Sequence, residues 1–345
     1  MPSGTLLLSR HDVAALLSLE TCIAAVEHAF GAHSRGETLG SGVLGLHVPG
    51  GGFHIKVAGL GLPTPLFAAK VNANFAANES RFGLPRIQGL IVLSDATHGS
   101  PLAVMDSAEI TALRTAAATA VATRHLARPD AQSAAIIGCG RQSRLQLLAV
   151  AAVRGITRAV ACDIEPVRAE RFARDMSARL HIPVTVVTDP AAAARQCDVV
   201  VTCTSATAIV LRAGDVMPGT FIAAVGADND TKQEIDPALM AASAVVPDLL
   251  EQAATIGDLH HALTAGAMTT QMVRGELGAV VAGLAAGRKT NDEVLLFDST
   301  GTAIQDVAAA AVVYERAITR GRGVRADLMN GDASRMVNPA FRVTM

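Results

Sequence analysis

The segment 134–150 contains residues whose types and order suit nucleotide binding. Residues 134–137 (Ala-Ala-Ile-Ile) are typical of a buried strand, and Gly138 and Gly140 follow them in a Gly-x-Gly turn that leads into an apolar helix face. In such a turn the first glycine allows a sharp bend and the second lets the backbone approach a pyrophosphate, whose charge then faces the helix N-terminus. Ser143 stands where the full fingerprint has a third glycine, so a plain strand–turn–helix is the alternative.

An acidic residue follows at the distance expected for the ribose of a bound dinucleotide. Residues 159–163 (Ala-Val-Ala-Cys-Asp) predict a second strand that ends in Asp163. A carboxylate there accepts hydrogen bonds from the 2′-hydroxyl of NAD and repels the 2′-phosphate of NADP, so the sequence favours NAD. Alternatively, Asp163 is only a helix N-cap, since Glu165 and Pro166 follow it.

Alternating strands and helices predict a parallel sheet with helices on both faces from residue 134 onward. The predicted strands are 134–137, 158–162, 183–187, 198–202, 220–225, 243–247 and 294–297, and the predicted helices are 141–154, 165–179, 190–196, 249–255 and 302–319.

The N-terminal part has strands and turns without intervening helices, which predicts an antiparallel or mixed sheet in a separate domain. Its expected elements are strands at 5–8, 53–57, 67–75 and 90–95, a glycine-rich segment at 36–63, a turn at 97–101, a helix that Ser9 caps and that ends near Gly31, and an alanine-rich helix at 108–127 capped by Asp106 or Ser107.

The predicted fold class is therefore α/β, with two domains. A Rossmann-type parallel sheet domain, residues 119–306, is inserted into a mixed-sheet α+β domain that consists of residues 1–118 and 307–345. The segment 325–345 is polar and irregular, and we expect it to be a loose arm.

Composition excludes several classes of function. Of the 345 residues 17% are charged, the formal net charge is −2, and there is no dense run of Lys or Arg, which argues against a nucleic-acid or membrane partner. No apolar run reaches the ~20 residues of a membrane span, and the N-terminus lacks the pattern of a signal peptide, so we expect a cytoplasmic protein. The five cysteines lack Cys-x-x-Cys spacing, and no metal site is predicted.

Six groups of residues together resemble the ornithine cyclodeaminase/mu-crystallin family. The resemblance covers roughly residues 5–320. The groups are Lys70–Asn72, Pro101–Asp106, Thr111–Ala117, Gly138–Gln142, Val225–Asp228 with Lys232–Glu234, and Phe297–Gly301 with Gln305–Asp306. The family contains cyclodeaminases, archaeal-type alanine dehydrogenases and imino-acid reductases, which use a nicotinamide cofactor at an amino-acid α-carbon. Its members are typically dimers that pair through the non-nucleotide domain, so the resemblance implies a homodimer.

The resemblance also implies roles for particular residues. Lys70 and Arg114 would meet the substrate carboxylate and the reacting nitrogen, Asp228 would be the acid/base group, and Thr300 would lie beside the substrate. The cofactor would be held by Gly138, Gly140, Arg141 and Gln142 at the pyrophosphate, Asp163 at the adenosine ribose, Thr202 and Thr204 along the groove, Val225 and Gly226 behind the nicotinamide, and Lys232, Ser299 and Arg114 as further contacts.

These residue types agree with hydride exchange between an amine and an imine, which needs a cation for the carboxylate and an acid/base group near the nitrogen. Each residue also has a structural alternative. Lys70 would be a surface lysine on an edge strand, Arg114 a salt-bridge partner, and Asp228 part of a turn with the composition Ala-Asp-Asn-Asp.

One departure from the family pattern concerns the substrate carboxylate. Many members have an arginine shortly before the predicted strand 53–57, but residues 40–47 contain none. We predict that Lys56, on that strand, supplies the missing positive charge.

Three functions follow from the resemblance. The first is an NAD-dependent alanine dehydrogenase-like or imine reductase-like enzyme that acts on the Cα–N bond of a small amino or imino acid. Three stretches resemble the archaeal alanine dehydrogenase branch, namely Gly226–Asp228 with Lys232–Glu234, Asp248–Gln252 and Asp298–Gly301. The second is a redox-neutral ornithine cyclodeaminase that releases ammonia. The third is a non-catalytic protein of mu-crystallin type that binds NAD(P) and a small ligand.

Overall fold

The computed structural model describes residues 4–61 and 63–328. These residues form two seven-stranded sheets, one two-stranded sheet and the helices that cover them. One large sheet is mixed and the other is entirely parallel, as the sequence predicts.

The strands, in chain order, are β1 (Thr5–Leu8), β2 (Thr38–Val48), β3 (Gly51–Leu60), β4 (Leu66–Asn74), β5 (Ile87–Asp95), β6 (Pro101–Asp106), β7 (Ser133–Ile137), β8 (Arg158–Cys162), β9 (Val184–Val187), β10 (Val199–Thr202), β11 (Thr207–Leu211), β12 (Phe221–Ala224), β13 (Gln233–Ile235), β14 (Ala244–Pro247), β15 (Leu295–Asp298) and β16 (Val324–Ala326). The helices are α1 (Arg10–Leu16), α2 (Leu19–Ser34), α3 (Asn78–Phe82), α4 (Ser107–Leu126), α5 (Ser143–Ala151), α6 (Pro166–Leu180), α7 (Pro190–Ala194), α8 (Pro237–Ala242), α9 (Leu250–Ala253), α10 (Asp258–Thr264), α11 (Leu277–Val281) and α12 (Ala303–Arg320), with a 3₁₀ turn at Thr270–Met272.

The mixed sheet has the strand order β16-β1-β6-β5-β4-β3-β2, and its neighbours are antiparallel except for the parallel pair β1 and β6. Its inner face packs against α4 and α12, with α2 stacked on those helices. Lys56 in β3 lies opposite Lys70 in β4, so both point to this inner face, while Val71 points to the outer face.

The parallel sheet has the order β14-β15-β12-β10-β7-β8-β9. Its central strands are buried on both faces, which explains their continuous apolar sequences. The chain winds outward in opposite directions from β7 and β10, and the carboxyl ends of these two strands therefore form the crevice where such sheets bind ligands.

Two strands of the mixed sheet differ from the sequence prediction. The glycine-rich segment 36–63 contains β2 as well as the expected strand, and β6 begins at the end of the expected turn 97–101. Glycine lowers strand propensity in β2, but β2 pairs with β3 over most of its length and so overrides that preference. The short strand β6 is hydrogen-bonded on both edges, to β1 and β5.

The two ends of the chain also depart from expectation. The first helical region is broken into α1, which Ser9 caps with a capping box, and α2, which runs past Gly31 to Ser34. The expected loose arm 325–345 is wrong at its start, because β16 pairs antiparallel with β1. Residues 329–345 of that arm lie outside the described residues.

The predicted domain boundaries near 118 and 306 lie inside α4 and α12, and they stay predictions. Among the described residues, no helix alone is long and apolar enough to cross a membrane. The consecutive helices α1 and α2, bent by 83° at the break between them, meet that criterion only as a pair, by length and composition.

Candidate active site

A cavity of about 1500 Å³ lies at the carboxyl edge of the parallel sheet and extends to the inner face of the mixed sheet. The predicted site residues that line it are Lys56, Arg114, Gly138, Gly140, Arg141, Gln142, Asp163, Thr204, Val225, Gly226, Asp228, Lys232, Ser299 and Thr300. Lys70 and Thr202 do not line it. The cavity thus brings the glycine turn and most of the predicted substrate residues into one space.

The glycine turn after β7 adopts a conformation that only glycine tolerates well. Gly138 has φ of +95°, and a Cβ atom there would lie 2.9 Å from Thr204 Cγ2. Asp163 fixes the same turn, since its Oδ2 accepts a hydrogen bond from the Cys139 amide at 2.6 Å and its Oδ1 one from the Glu165 amide at 2.8 Å. Asp163 therefore holds the glycine turn and also lines the cavity, and the alternative that it is only a helix N-cap is wrong, because the N-cap of α6 is Glu165.

The cavity fits a dinucleotide in its volume and in its polar groups. The space beside Gly140 is open, with no atom within 4 Å of where its Cβ would be. Two buried polar atoms of lining residues, Gln142 Oε1 and Ser299 Oγ, have no hydrogen-bond partner among the described residues. Buried polar atoms are normally hydrogen-bonded, so these two atoms are suited to bond a ligand.

A cluster of charged side chains lies where the mixed sheet meets α4 and α12. Lys70 Nζ lies 2.5 Å from Asp306 Oδ2, and Arg114 Nε lies 3.1 Å from Asp306 Oδ1. Gln305 accepts a further hydrogen bond from Arg114 Nη1 at 3.2 Å. These residues are buried, so the alternative that Lys70 is a surface lysine on an edge strand is wrong: β4 is an inner strand of the sheet.

Burial and mutual attraction set the charges in this cluster. Burial lowers the pKa of Lys70 to about 7, against the attraction of Asp306. Burial also lowers the pKa of Lys56, and the charge of Arg114 lowers it further. Burial alone would raise the pKa of Asp306, but Lys70 and Arg114 hold it below its ordinary value. Lys70 and Arg114 thus share the Asp306 carboxylate, while Arg114 and Lys56 also present positively charged groups to the cavity, which suits an anionic ligand.

Lys56 reaches the cavity from β3 and is fixed by the loop after β15. Its Nζ donates hydrogen bonds to the carbonyl oxygens of Thr300, at 3.2 Å, and Gly301. The Thr300 hydroxyl in turn donates to Asp248 at 2.7 Å, and the Gly301 amide bonds the other oxygen of Asp248 at 2.7 Å. Asp248 is fully buried, so it holds this loop rather than a ligand.

Asp228 lies just after β12, and its side chain is 54% exposed and borders the cavity. Lys232 Nζ lies 2.5 Å from Asp228 Oδ1. Desolvation by the surrounding protein would raise the pKa of the Asp228 carboxyl group. The charge and hydrogen bond of Lys232 outweigh this effect, so the pKa is lowered. Lys232, expected to contact the cofactor, is therefore paired with the expected acid/base group.

Glu234 joins two of the loops that border the cavity. Its Oε1 accepts a hydrogen bond from the Thr204 amide at 2.7 Å, and its Oε2 accepts bonds from the Gly226 amide at 2.7 Å and the Thr202 hydroxyl at 2.8 Å. A Cβ atom on Gly226 would lie 2.5 Å from the Glu234 carboxyl carbon. Thr202 is fully buried, so the expectation that it lines the cofactor groove is corrected: it supports the groove through Glu234.

The sequence prediction assigned no role to four residues that organise the site, namely Asp306, Gln305, Glu234 and Asp248. A signal was present for the first two, since Gln305 and Asp306 interrupt an otherwise alanine- and valine-rich helix. Buried polar side chains in such a helix need partners. Which partners they have depends on how the mixed sheet packs on α12, and local sequence does not specify that.

Comparison with known proteins agrees with this geometry. The profile of the ornithine cyclodeaminase/mu-crystallin family matches residues 4–321. The chain belongs to this family. It is 36% identical over 319 residues to an alanine dehydrogenase of Archaeoglobus fulgidus, covering 92% of this chain and 97% of that protein.

Two solved structures of the family are similar over nearly their whole length. An archaeal alanine dehydrogenase dimer with bound NAD has a TM-score of 0.90 and 35% identity, covering 94% of this chain and 99% of that one. The Δ(1)-pyrroline-2-carboxylate reductase of Thermococcus litoralis, in complex with NADH and L-proline, has a TM-score of 0.88 and 34% identity, covering 93% and 100%.

The role of Glu234 generates a prediction. Glu234→Gln replaces one accepting oxygen with an NH₂ group, so the hydrogen bonds of Thr204 or of Gly226 are lost. We expect the free energy of unfolding to fall by about 1–3 kcal/mol, because buried backbone donors lose their acceptor. Denaturant unfolding measures this change, and hydrogen exchange should accelerate at the same amides.

Glu27→Gln is the matched control, because Glu27 is a partly exposed carboxylate that bridges two basic side chains at the end of α4. Exposed pairs contribute less, so we expect a loss below about 1 kcal/mol. Equal losses in the two variants, with unchanged exchange at Thr204 and Gly226, would contradict the role of Glu234.

Proposed function

We propose that this protein is an NAD-dependent oxidoreductase that acts on the Cα–N bond of a small amino or imino acid. The observation that carries the proposal is a cavity that joins a glycine turn to the basic side chains of Arg114 and Lys56. The first suits a dinucleotide and the second a carboxylate. The similar alanine dehydrogenase and pyrroline-carboxylate reductase, which were solved with NAD and NADH, support it.

The two ends of the cavity would bind different parts of the cofactor. At one end, Gly138, Gly140, Arg141 and Gln142 would hold the pyrophosphate and Asp163 the adenosine ribose. At the other end, Val225 and Gly226 would back the nicotinamide ring, with Thr204, Lys232 and Ser299 beside it. When bound, NAD takes or supplies a hydride at the substrate α-carbon.

The residues at the substrate end would bind the carboxylate of the amino or imino acid and transfer the proton of its α-nitrogen. Arg114 and Lys56 line the cavity and would bind the substrate carboxylate, with Lys70 adding positive charge from behind and Thr300 beside the substrate. Asp228 and Lys56 line the same cavity, and we place the amino group next to the bound carboxylate beside Asp228. There the Asp228 carboxylate would accept or return the proton of the α-nitrogen.

The Asp228 assignment predicts loss of turnover with retained cofactor binding. Asp228→Asn keeps the shape but cannot take a proton, so kcat should fall by at least about 100-fold. NADH affinity, measured by fluorescence, should change by less than about 3-fold. The rate is read from NADH absorbance with a panel of small amino acids, and of 2-oxo acids with ammonia or cyclic imino acids.

The same panel separates the related functions. Ammonia and proline formed from ornithine with catalytic NAD⁺, without net NADH, would indicate a cyclodeaminase. Cofactor binding without any hydride transfer across the panel would indicate a non-catalytic binding protein. An Asp228→Asn variant with normal kcat would contradict the mechanism.

Cofactor choice should depend on Asp163. Asp163→Asn removes the negative charge that repels a 2′-phosphate, and its remaining carbonyl oxygen can keep one of the two backbone hydrogen bonds. We expect the ratio of kcat/KM with NADH to that with NADPH to fall by about 10-fold or more, since relief of one close charge repulsion is worth at least about 1.4 kcal/mol. An unchanged ratio would show that Asp163 only orders the turn.

We also propose that the outer face of the mixed sheet forms a homodimer interface, as one similar structure is a dimer. Leu44, Leu46, Phe53, Val71 and Leu90 are apolar, lie on this face, and are each more than a third exposed. A contiguous exposed apolar surface of this kind marks an interaction site.

Leu44→Glu should shift the dimer toward monomer in size-exclusion chromatography with light scattering, because the new charge would be buried without a partner. The control is Val167→Glu, whose position is 74% exposed in α6 of the other sheet's helical layer. A monomeric native protein, or equal behaviour of the two variants, would contradict this interface.

A further inference from the structure

The Asp306 carboxylate serves two different cations. Its Oδ2 contacts Lys70 Nζ at 2.5 Å, and its Oδ1 accepts a hydrogen bond from Arg114 Nε at 3.1 Å. Asp306 is in the first turn of α12, directly after the loop whose residues Ser299 and Thr300 line the cavity. The carboxylate therefore ties β4 and α4 to the loop that borders the substrate end of the cavity.

Arg114 is held at two of its three nitrogens. Nε bonds Asp306, and Nη1 donates to Gln305 Oε1 at 3.2 Å. Nη2 bonds to no residue in the described ranges, and the side chain lines the cavity. A planar guanidinium fixed at two nitrogens has a fixed orientation, so Nη2 is presented for a ligand carboxylate.

Apart from Asp306, the surroundings of Lys70 disfavour its positive charge, because they are buried and contain two other basic side chains. From β3 it faces Lys56, from α4 it faces Arg114, and Asp306 of α12 is the acidic group that attracts it. Cys22 of α2 lies near Arg114 and Asp306, but burial raises its pKa to about 12, so its thiol is neutral. Without Asp306, burial and two neighbouring cations would both favour the uncharged amine.

We propose that Asp306 is a positioning residue that keeps Lys70 in its ammonium form and orients Arg114 toward the substrate carboxylate. The part that concerns substrate rests on the proposed function. Asp306 itself does not line the cavity, so it acts through the two cations.

The proposal has a pH signature whose sign follows from the charges. The Lys70 ammonium is present at low pH and is lost as pH rises through about 7. Removing the Asp306 carboxylate lowers that pKa further, so the ammonium is lost at a lower pH. The ratio of wild-type to Asp306→Asn activity should therefore be lowest at low pH, where Lys70 is charged in both proteins, and should grow as pH rises.

The kinetic test measures kcat and KM from about pH 5.5 to about pH 9 for wild type, Asp306→Asn and Glu27→Gln. An opposite charge within a few Å shifts a pKa by about 1–3 units, so the activity ratio should grow by at least about 10-fold across the range. KM should rise more than kcat falls, because the bound carboxylate loses its oriented partners. A loss of the same size at every pH, which a merely structural role produces, would overturn the proposal, as would no loss at all.

A spectroscopic test needs no activity. The chain has four lysines, so ¹³C labelling at lysine Cε gives few signals, and Lys70→Arg assigns the one of interest. The titration midpoint of Lys70 should fall by about one unit or more in Asp306→Asn and stay near the wild-type value in Glu27→Gln. An unchanged midpoint overturns the proposal.

If Asp306→Asn does not fold, Asp306→Ser provides the second variant. It removes the carboxylate without placing an amide NH₂ group against two cationic donors, so the Lys70 midpoint should again fall by about one unit or more, and an unchanged midpoint overturns the proposal. A shifted midpoint in a protein without NAD-linked activity would mean that the proposed function fails while the control of Lys70 by Asp306 stands.

Discussion

The structure depends on one buried carboxylate that is shared between two cations. Leaving a buried charge without its partner costs about 3–5 kcal/mol, so Asp306 requires that β4, α4 and α12 meet at one point. Because Arg114 and Lys56 also line the cavity, this point presents positively charged groups to an anionic ligand. Fold and ligand specificity thus have the same electrostatic origin at this site.

The parallel sheet contributes the other half of the site through its carboxyl edge. The loops after its strands are held from behind by buried carboxylates that accept backbone hydrogen bonds: Glu234 holds the loops after β10 and β12, and Asp248 holds the loop after β15. Burial raises the pKa of both groups, and the surrounding donors offset only part of the cost of their desolvation.

Local patterns in the sequence were sufficient for the parallel sheet and its glycine turn, because continuous apolar strands and Gly138 leave few alternatives. They did not predict β2, whose glycines disfavour a strand until β3 pairs with it. Lys70 and Arg114 were assigned roles through the family resemblance, while Asp306, which belongs to one of the matching groups, was assigned none, because its pairing with them depends on contacts between distant elements. The sequence likewise did not predict that Lys232, which we expected to contact the cofactor, pairs with Asp228.

The central claim is that the buried positive charge at Arg114, Lys56 and Lys70 selects a carboxylate next to the reacting carbon. Calorimetry of the NADH-loaded protein with small 2-oxo acids in the absence of ammonia, each compared with its neutral carboxamide, measures this directly. We predict that the acids bind at least about 10-fold more tightly, since a charge-assisted hydrogen bond in a buried site contributes about 1.5–3 kcal/mol. Equal affinity for the acids and their amides would contradict the account.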